Sequence, residues 1–359
     1  MSPIGADLGR SESTIGLVVT LYAWIGAAAA LISATLLSGV RRRPLLITLM
    51  LLLAVSALAS GLSTNFGLLM TARVAGAIAH GAFWAMIGTL GAQIVPAQKV
   101  GLATSIIFGG VSAASVVGVP LASFIGGVAG WQIAFFAVAG LAFIVAFALR
   151  VSVPDLPGQP GVSSATLLRI ISTPRFQSIF LITILSITAH FMAFTFVEPY
   201  LRGFPEMSPT LIAVLLLVFG AAGLLANLLC GAFIDSHLKG LVIGALTLSA
   251  LALGGLALPL ASDIPVFAGL CLFFWGAAVA IILVGLQTWI IKEAGSDALP
   301  ASAIYVALFN VAIGLGAMIG ALVLSVAGIT TLFVVASAMT ALCLFALAAL
   351  ATPQTIPAE

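Results

Sequence analysis

Residues 100–149 read VGLATSIIFGGVSAASVVGVPLASFIGGVAGWQIAFFAVAGLAFIVAFAL, without a single Asp, Glu, Lys or Arg. A helix needs roughly 20 apolar residues to cross a bilayer core of about 30 Å, so this run is long enough for two crossings. Inside that core every backbone N–H and C=O must be paired within the protein, which makes both crossings helical. We place the division between them at the glycine-rich segment 126–130.

The rest of the chain has the same character. Residues 13–40, 44–72 and 298–358 are also free of charged side chains. Over all 359 residues, apolar types make up 62% and charged types 6%, and the mean hydropathy is +1.31. A water-soluble domain of this size cannot bury so much apolar surface. The sequence therefore predicts an all-α polytopic membrane protein.

Charges and Gly/Pro punctuation divide the chain into eleven predicted helices. They span about 14–39, 44–64, 67–94, 100–127, 131–150, 175–200, 208–234, 240–261, 264–291, 298–326 and 329–352. The last charge-free run is divided at Ala327-Gly328.

The basic residues fix the predicted orientation, because cytoplasmic loops of membrane proteins are rich in Lys and Arg. Nine of the twelve fall in loops or at helix ends on one side, two fall on the other, and Arg73 lies within a helix. The nine are Arg41, Arg42, Arg43, Lys99, Arg150, Arg169, Arg175, Lys239 and Lys292, and the two are Arg10 and Arg202. The side with nine is expected to be cytoplasmic, which places the N-terminus outside and the C-terminus in the cytoplasm.

Composition and motifs disfavour several classes of function. The net charge is only +2, and basic residues are confined to short loops, so nucleic acid is not an expected partner. The sequence lacks a Gly-x-x-x-x-Gly-Lys-Ser/Thr phosphate loop, so ATP is not implied. Cys230, Cys271 and Cys343 have no metal-ligand spacing and are interpreted as packing residues. We expect no metal and no cofactor.

Two rival classes of membrane protein fit less well. An enzyme would need a catalytic cluster such as His-Glu-x-x-His, or carboxylates paired with Ser or His, and the sequence has neither. A channel would line its pore with rings or repeated polar stripes, whereas the polar residues here are scattered singly. We therefore predict a protein that is not an enzyme.

The chain divides into two parts at one long polar connection. Residues 151–174 contain four prolines and two glycines and form a predicted cytoplasmic linker. We predict an N-terminal bundle of five helices over residues 1–150 and a C-terminal bundle of six over residues 175–359. Duplicated halves around a site at the membrane midplane are a recurrent transporter architecture.

Two short cytoplasmic loops occupy matching places in the halves. Residues 34–43 read ATLLSGVRRR and residues 231–240 read GAFIDSHLKG. Both resemble the loop Gly-x-x-x-Asp-Arg-x-Gly-Arg-Arg, which is the signature of the major facilitator superfamily. The first copy keeps Arg42 and Arg43 but has Ser38 in place of the Asp, and the second keeps Asp235 and Lys239.

Further segments resemble the same family and, within it, one branch. Arg73-Val74-Ala75-Gly76 is similar to the fourth-helix pattern, Gly109-Gly110 with Gly118-Val119-Pro120 to the antiporter fifth-helix pattern, and Gly130-Trp131-Gln132 to the start of the sixth helix. The segments most similar to bacterial sugar-efflux transporters of the drug:proton antiporter branch, associated with arabinose and IPTG export, are Leu21–Trp24, Ala79–Trp84, Thr188–His190, Glu198–Tyr200 and Phe309–Gly314.

The resemblance implies a function and a location. It implies a monomeric secondary transporter of the bacterial inner membrane that exports sugars or sugar-like solutes in exchange for protons by alternating access. The alternatives are a multidrug/proton antiporter for hydrophobic compounds and a truncated membrane protein that does not transport.

The resemblance also implies a missing helix. Members of the family have twelve helices, and Ala6-Asp7-Leu8-Gly9-Arg10-Ser11 resembles the external loop that follows their first helix. We expect that the first helix is absent through truncation or a misassigned start, with true loss as the alternative.

Candidate site residues are the ionisable groups predicted at membrane depth, because such groups are costly there and mark functional sites. Arg73, His80 and Trp84 share one face of a helix, together with Ala77. We interpret this face as lining a polar cavity. The alternative is that Arg73 pairs with helix ends or loops near the outer surface and holds helices together.

His190, Phe194 and Glu198 follow at steps of four and share a face of the first helix after the linker. A carboxylate in a low-dielectric environment holds a proton more readily, so Glu198 is a candidate for proton coupling. The imidazoles of His190 and His80 change charge near neutral pH and are the other candidates. The alternative for Glu198 is a solvated position in the outer headgroup zone beside Pro199.

The remaining site candidates are amides and one phenol. Asn227, Gln287 and Asn310 can donate to and accept from sugar hydroxyls, and Tyr22 is expected to face the cavity. Interhelical hydrogen bonding explains Asn and Gln in membrane helices equally well. In the loops, Arg42, Arg43, Asp235 and Lys239 are interpreted as a gate that closes the cytoplasmic side by ion pairing in one conformation.

Overall fold

The structure, a computed structural model, describes residues 4, 7–9, 12–158, 162–204, 207–348 and 350, and all regular structure in them is helical. We label the helices α1 (Glu12–Leu36), α2 (Arg42–Gly61), α3 (Phe66–Ile94), α4 (Val100–Ala113, then Ala114–Gly118 as a π turn and Val119–Ala129), α5 (Trp131–Ser152), α6 (Ser164–Ser172), α7 (Pro174–Arg202), α8 and α9 (Pro209–Leu256, bent at His237), α10 (Pro265–Ala294), and α11 and α12 (Ala298–Ala348, broken at Gly328). Single turns lie at Ala97–Lys99, Leu260–Asp263 and Gly295–Asp297.

The prediction of an all-α polytopic membrane protein with about eleven long helices is confirmed. In the described residues, seven helical stretches are long and apolar enough to cross a membrane, and the two longest contain the breaks at His237 and Gly328. Large apolar side chains also cover the outside: Val326 is 80% exposed and Phe345 is 77% exposed. Such a surface is suited to hydrocarbon and not to water.

The predicted divisions of the two long apolar runs are also found. Gly130 adopts a φ of 94° between α4 and α5, and Gly328 adopts a φ of 80° between α11 and α12. A positive φ is strained for residues with a Cβ, so glycine is the residue type that can turn the chain here. Within α4, which was predicted as a continuous helix, Pro120 cannot donate a hydrogen bond to residue 116, and a π turn accommodates the lost bond.

Prolines explain where several helices begin. α7, α8 and α10 each have Pro at the first helical position, namely Pro174, Pro209 and Pro265. The missing N–H of proline costs nothing there, because the first helical N–H groups have no partner within the helix. Ser208 caps α8 by accepting a hydrogen bond from the N–H of Leu211 at 3.2 Å.

The chain forms two compact units that do not follow chain order. Unit 1 contains Met1–Thr89, Gly118–Arg169 and Leu299–Val311. In it α2 packs along α5, and Ser56 of α2 donates a hydrogen bond to the carbonyl of Ala72 in α3 at 2.6 Å. α1 and α3 come so close that a Cβ at Gly81 would lie 2.0 Å from the carbonyl oxygen of Gly26.

Unit 2 contains Leu90–Val117, Ile170–Ala298 and Ala312–Glu359. Its apolar core includes Met192, Leu253, Leu272 and Phe333, all without exposed surface. α8 and α10 approach each other as α1 and α3 do in unit 1, because a Cβ at Gly276 would lie 2.1 Å from the carbonyl oxygen of Phe219. This likeness is consistent with duplicated halves, whereas the proposed domain division at residues 151–174 stays a prediction. α6 lies within that segment.

The contact at Gly276 gives a test of the packing. Replacement of Gly276 by Ala should lower the free energy of unfolding by about 1–3 kcal/mol, since the backbone of α8 must move to admit a methyl group. The control is Gly244→Ala in α9, where the space around a Cβ is open and the better helix propensity of Ala should leave stability equal or higher by up to about 1 kcal/mol. Thermal unfolding in detergent measures both, and equal melting temperatures for the two variants would contradict the close contact.

Candidate functional site

The helix face predicted from the sequence of α3 meets an aromatic residue of α1. The Cζ atom of Arg73 lies 4.2 Å from the centroid of the Tyr22 ring. The Tyr22 and His80 rings are 5.4 Å apart and the His80 and Trp84 rings 6.2 Å apart, measured between centroids. Phe135 of α5 also contacts the guanidinium, at 5.7 Å. We call these five residues the Arg73 cluster; it belongs to unit 1.

A second cluster surrounds His190 in unit 2. The imidazole stacks nearly parallel to the Phe219 ring at 6.2 Å and lies 5.4 Å from both Phe194 and Trp275. Phe191 contacts the imidazole from the adjacent position at 4.9 Å. We call these five residues the His190 box; they come from α7, α8 and α10.

The His190 box offers hydrogen-bonding atoms that nothing in the described residues uses. The Nδ1 atom of His190 and the Nε1 atom of Trp275 are buried and make no hydrogen bond with any described residue. Buried polar atoms normally find a partner, so an unsatisfied pair in an aromatic enclosure indicates a place for a ligand or water. Phe194 is 37% exposed, which leaves one wall of the box open.

Sequence analysis identified His190 and Phe194 but missed Phe219 and Trp275. Phe219 is one of 22 phenylalanines, and Trp275 stands in the apolar run Phe273–Gly276, so neither carried a local signal. A weak signal existed at the glycine that follows each ring: His80 precedes Gly81 and Trp275 precedes Gly276, and both glycines mark a close helix contact.

The described polar partner of Glu198 lies on its own helix. Glu198 is exposed in the last two turns of α7, where its carboxylate pairs with Arg202 at 2.6 Å. The pair spans one helical turn of the same helix and both side chains are at least half exposed. The environment of Glu198 is therefore the end of a helix beside Pro199, not a buried polar pocket.

The three amide candidates are all buried. Asn227 donates from Nδ2 to the hydroxyl of Ser112 at 2.7 Å, and its backbone carbonyl accepts a short hydrogen bond from the Ser105 hydroxyl. These contacts join α8 to α4. Asn310 donates to the carbonyl of Val306 within α11 at 2.8 Å, and Gln287 is fully buried in α10.

Asp235 binds the start of α4. Its two carboxylate oxygens accept hydrogen bonds from the N–H groups of Gly101 and Leu102, at 2.9 and 3.1 Å. The same carboxylate pairs with Lys292 of α10 at 2.8 Å. A carboxylate at a helix N-terminus satisfies free N–H groups and is attracted by the helix dipole. Asp235 thus joins three helices within unit 2.

Lys239 has a different partner. Its Nζ atom donates to the carbonyl of Leu350 at 2.5 Å, just beyond α12. In this conformation the cation that pairs with Asp235 is Lys292, which sequence analysis did not single out. Lys292 lies 57 residues from Asp235, so spacing along the chain gave no signal.

In unit 1 the matching loop binds the predicted linker. Arg41 pairs with Asp155 at 2.5 Å, the N–H of Arg42 donates to the carbonyl of Leu156 at 3.0 Å, and the hydroxyl of Ser38 accepts from the N–H of Val162 at 3.3 Å. Ser38, which stands where the family has Asp, therefore holds the linker.

The two arginines of that loop differ in burial. The Arg42 side chain is fully buried, and its Nη1 atom donates to the sulfur of Met86 at 3.1 Å. Its Nε and Nη2 atoms have no partner among the described residues. Arg43 is half-buried. Of segment 6–11, Asp7 accepts a hydrogen bond from the Trp131 indole at 2.8 Å, while Ala6, Arg10 and Ser11 lie outside the described residues.

With this geometry in hand, comparison with known proteins decides the family. The family model described as Major Facilitator Superfamily matches residues 1–300. The chain belongs to this superfamily. Its members are transporters, and the helical architecture of this chain is that of a major facilitator protein.

Solved major facilitator structures share the fold at low sequence identity. The human organic anion transporter MFSD10 (TETRAN) aligns with a TM-score of 0.78 at 18% identity, covering 92% of this chain and 83% of that one. FucP in the outward conformation aligns with a TM-score of 0.75 at 12% identity, and the alignment covers 94% of this chain and 90% of FucP. The proton:xylose symporter XylE bound to 6-bromo-6-deoxy-D-glucose aligns with a TM-score of 0.70 at 17% identity, and the alignment covers 96% of this chain and 89% of XylE.

We expect substitutions of Asp235 and Glu198 to change the stability of the protein by different amounts. Asp235→Asn should lower the free energy of unfolding by about 1–3 kcal/mol, because the Lys292 ammonium and one N–H of α4 lose a charged partner in a half-buried place. Glu198→Gln, which breaks an exposed pair within one helix, should change it by about 0–1 kcal/mol. Melting temperatures in detergent would measure the difference; a larger loss for Glu198→Gln would contradict these environments.

Proposed function

We propose that this major facilitator transporter exports sugars or sugar-like solutes in exchange for protons by alternating access, from a bacterial inner membrane with its C-terminus in the cytoplasm. The observation that carries the proposal is the His190 box. Sugar rings present C–H faces that pack against aromatic rings and hydroxyls that both donate and accept hydrogen bonds. The box supplies aromatic walls together with an imidazole nitrogen and an indole N–H, neither of which binds a described residue.

The Arg73 cluster of unit 1 is proposed as the second polar surface of the transporter. It combines a phenol, an imidazole and an indole on α1 and α3. Single polar groups on several helices that converge near the middle of a bundle are typical of sites in secondary transporters. Gln287 and Asn310 stay proposed ligands, whereas the contacts of Asn227 favour a role in joining α8 to α4.

The names of two structural neighbours agree with transport of small polar solutes. XylE is a proton:xylose symporter, and MFSD10 is an organic anion transporter. At 17% and 18% identity the likeness concerns the fold, so these neighbours support the class of solute and not its identity.

We assign proton binding first to Glu198. A proton that arrives from outside and binds this carboxylate removes the negative charge that pairs with Arg202. His190 and His80 are the other candidates. Because protonation of His190 would place a charge in an aromatic enclosure without a described carboxylate, it would require stabilisation by ring faces.

We propose that Asp235 helps to close the cytoplasmic side. In the present conformation it ties the start of α4 to α8 and α10 through the hydrogen bonds and the ion pair described above. Alternating access requires such contacts to form in one state and break in another. In the matching loop of unit 1, Ser38 and Arg41 bind the linker, whereas Asp235 of unit 2 binds neighbouring helices.

The His190 box predicts how sugar efflux responds to changes at Trp275. Trp275→Phe keeps an aromatic wall but removes the indole N–H, and should raise the KM for the sugar by about tenfold, which is the effect of one lost hydrogen bond. Trp275→Leu should lower efflux further. The control is Phe274→Leu, the adjacent and more exposed residue of α10, which should leave efflux within about twofold.

The measurement is efflux of radiolabelled arabinose or a thiogalactoside from cells that contain equal amounts of each protein. Unchanged sugar accumulation in the presence of the wild-type protein, with lowered accumulation of a hydrophobic dye, would favour the multidrug antiporter instead. No flux of either compound would contradict both transport proposals.

Proton coupling is tested separately from substrate binding. Glu198→Gln should abolish efflux driven by a pH gradient but retain sugar exchange at equal pH, because exchange needs no net proton movement. Proteoliposomes allow both assays with the same protein, and His190→Gln serves as the comparison. If His190→Gln loses gradient-driven flux and Glu198→Gln retains it, proton binding would be assigned to His190 instead of Glu198.

A further inference from the structure

We propose that the Arg73 cluster binds a carboxylate of the substrate, so that sugar acids are preferred over neutral sugars. This inference rests on the proposed function, since it specifies the solute that the same transporter would move. It begins from the charge of Arg73, which the neutral-sugar interpretation does not use.

Arg73 has no described counter-ion. Among the described side chains of unit 1, the carboxylates are those of Asp7 and Asp155, and both have other partners. Asp7 accepts a hydrogen bond from the Trp131 indole, and Asp155 pairs with Arg41. No described residue forms an ion pair with Arg73; its described contacts are the rings of Tyr22 and Phe135 and a hydrogen bond with the Tyr22 side chain. A half-buried guanidinium in a membrane-spanning helix without an anion is costly, which favours a ligand that brings one.

A guanidinium has five N–H donors, so those of Arg73 that do not bind the Tyr22 side chain are left for a ligand. The Cζ atom of Arg73 lies 4.2 Å from the centroid of Tyr22, over the ring, so the aromatic group covers a face of the planar guanidinium. The N–H groups of a guanidinium point outward in its own plane and match the two oxygens of a carboxylate. The Tyr22 ring packs against the face of the Arg73 guanidinium and therefore leaves the edge of the guanidinium oriented for a bidentate contact with a carboxylate.

The surroundings select the charge and size of the ligand. Arg73 is the single Lys or Arg of the Arg73 cluster, so its charge balances one carboxylate and not a phosphate dianion. His80 and Trp84 continue along α3, within 6.2 Å of each other between ring centroids. These rings can pack against the body of a hexose, with the imidazole near its hydroxyl groups. The Tyr22 hydroxyl already donates to the carbonyl of Gly76 at 3.4 Å. The ligand class is thus a monoanionic sugar acid.

The alternative is that Arg73 only holds helices together. Its contacts with Tyr22 of α1 and Phe135 of α5 join three helices, and this role needs no ligand. The two roles differ in one observable. A structural role affects every substrate equally, whereas carboxylate binding affects only substrates that have a carboxylate.

The experiment compares D-galacturonate with D-galactose, which differ only in the group at carbon 6. Exchange in proteoliposomes at pH 7 should give the wild-type protein a kcat/KM at least about tenfold higher for galacturonate, since a carboxylate is ionised at that pH. Arg73→Gln should lower this value at least about tenfold for galacturonate and by less than about twofold for galactose. Arg73→Lys keeps the charge but loses the planar guanidinium, so its kcat/KM for galacturonate should lie between the values of the wild-type protein and Arg73→Gln. Arg202→Gln is the control at an ion-paired arginine and should not change the ratio between the two sugars.

Equal losses for both sugars in Arg73→Gln would overturn the inference and leave sugar transport standing, as would a wild-type preference for galactose. If the wild-type protein moves neither sugar, the proposed function fails, and ligand binding decides the inference alone. In that case galacturonate, but not galactose, should raise the melting temperature of the wild-type protein and not that of Arg73→Gln. The absence of any such shift would overturn the carboxylate site as well.

Discussion

Hydrocarbon offers no hydrogen bonds, and this constraint shapes the protein at every level. Backbone groups must pair within the protein, so the chain forms long helices whose outer faces carry residues such as Val326 and Phe345. Helices that have no hydrophobic drive to associate in lipid must hold together by close packing and polar contacts. The contacts at Gly81 and Gly276 and the hydrogen bonds of Ser56 and Asn227 are the two means seen here.

The same constraint makes each polar side chain informative. At the helix ends, charges are paired: Arg41 with Asp155 in unit 1, and Arg175 with Glu293 and Lys292 with Asp235 in unit 2. Arg42 is an exception, because it is fully buried and two of its nitrogens have no described partner. The family has an Asp four residues earlier, where this chain has Ser38, and Ser38 is engaged by the linker. Arg42 therefore has no described acidic partner, although its backbone N–H binds the carbonyl of Leu156 in the linker.

Each unit places an aromatic cluster beside its closest helix contact. In unit 1 His80 precedes Gly81, and in unit 2 Trp275 precedes Gly276. The clusters differ in charge, since Arg73 provides a cation in the first and the described residues provide none in the second. The two clusters therefore differ in the ligand groups that they can attract.

The sequence by itself determined the helices of this protein, while the tertiary structure decided which polar groups meet. The breaks at Gly130 and Gly328 followed from local patterns, because backbone pairing in a helix is settled within four residues. The face of Arg73, His80 and Trp84 was predictable for the same reason. In contrast, Trp275 lies 85 residues from His190 and Gly101 lies 134 from Asp235, so their contacts depend on how helices cross. Helix geometry is local, but the partner of a buried side chain is chosen by packing, and no spacing along the chain encodes it.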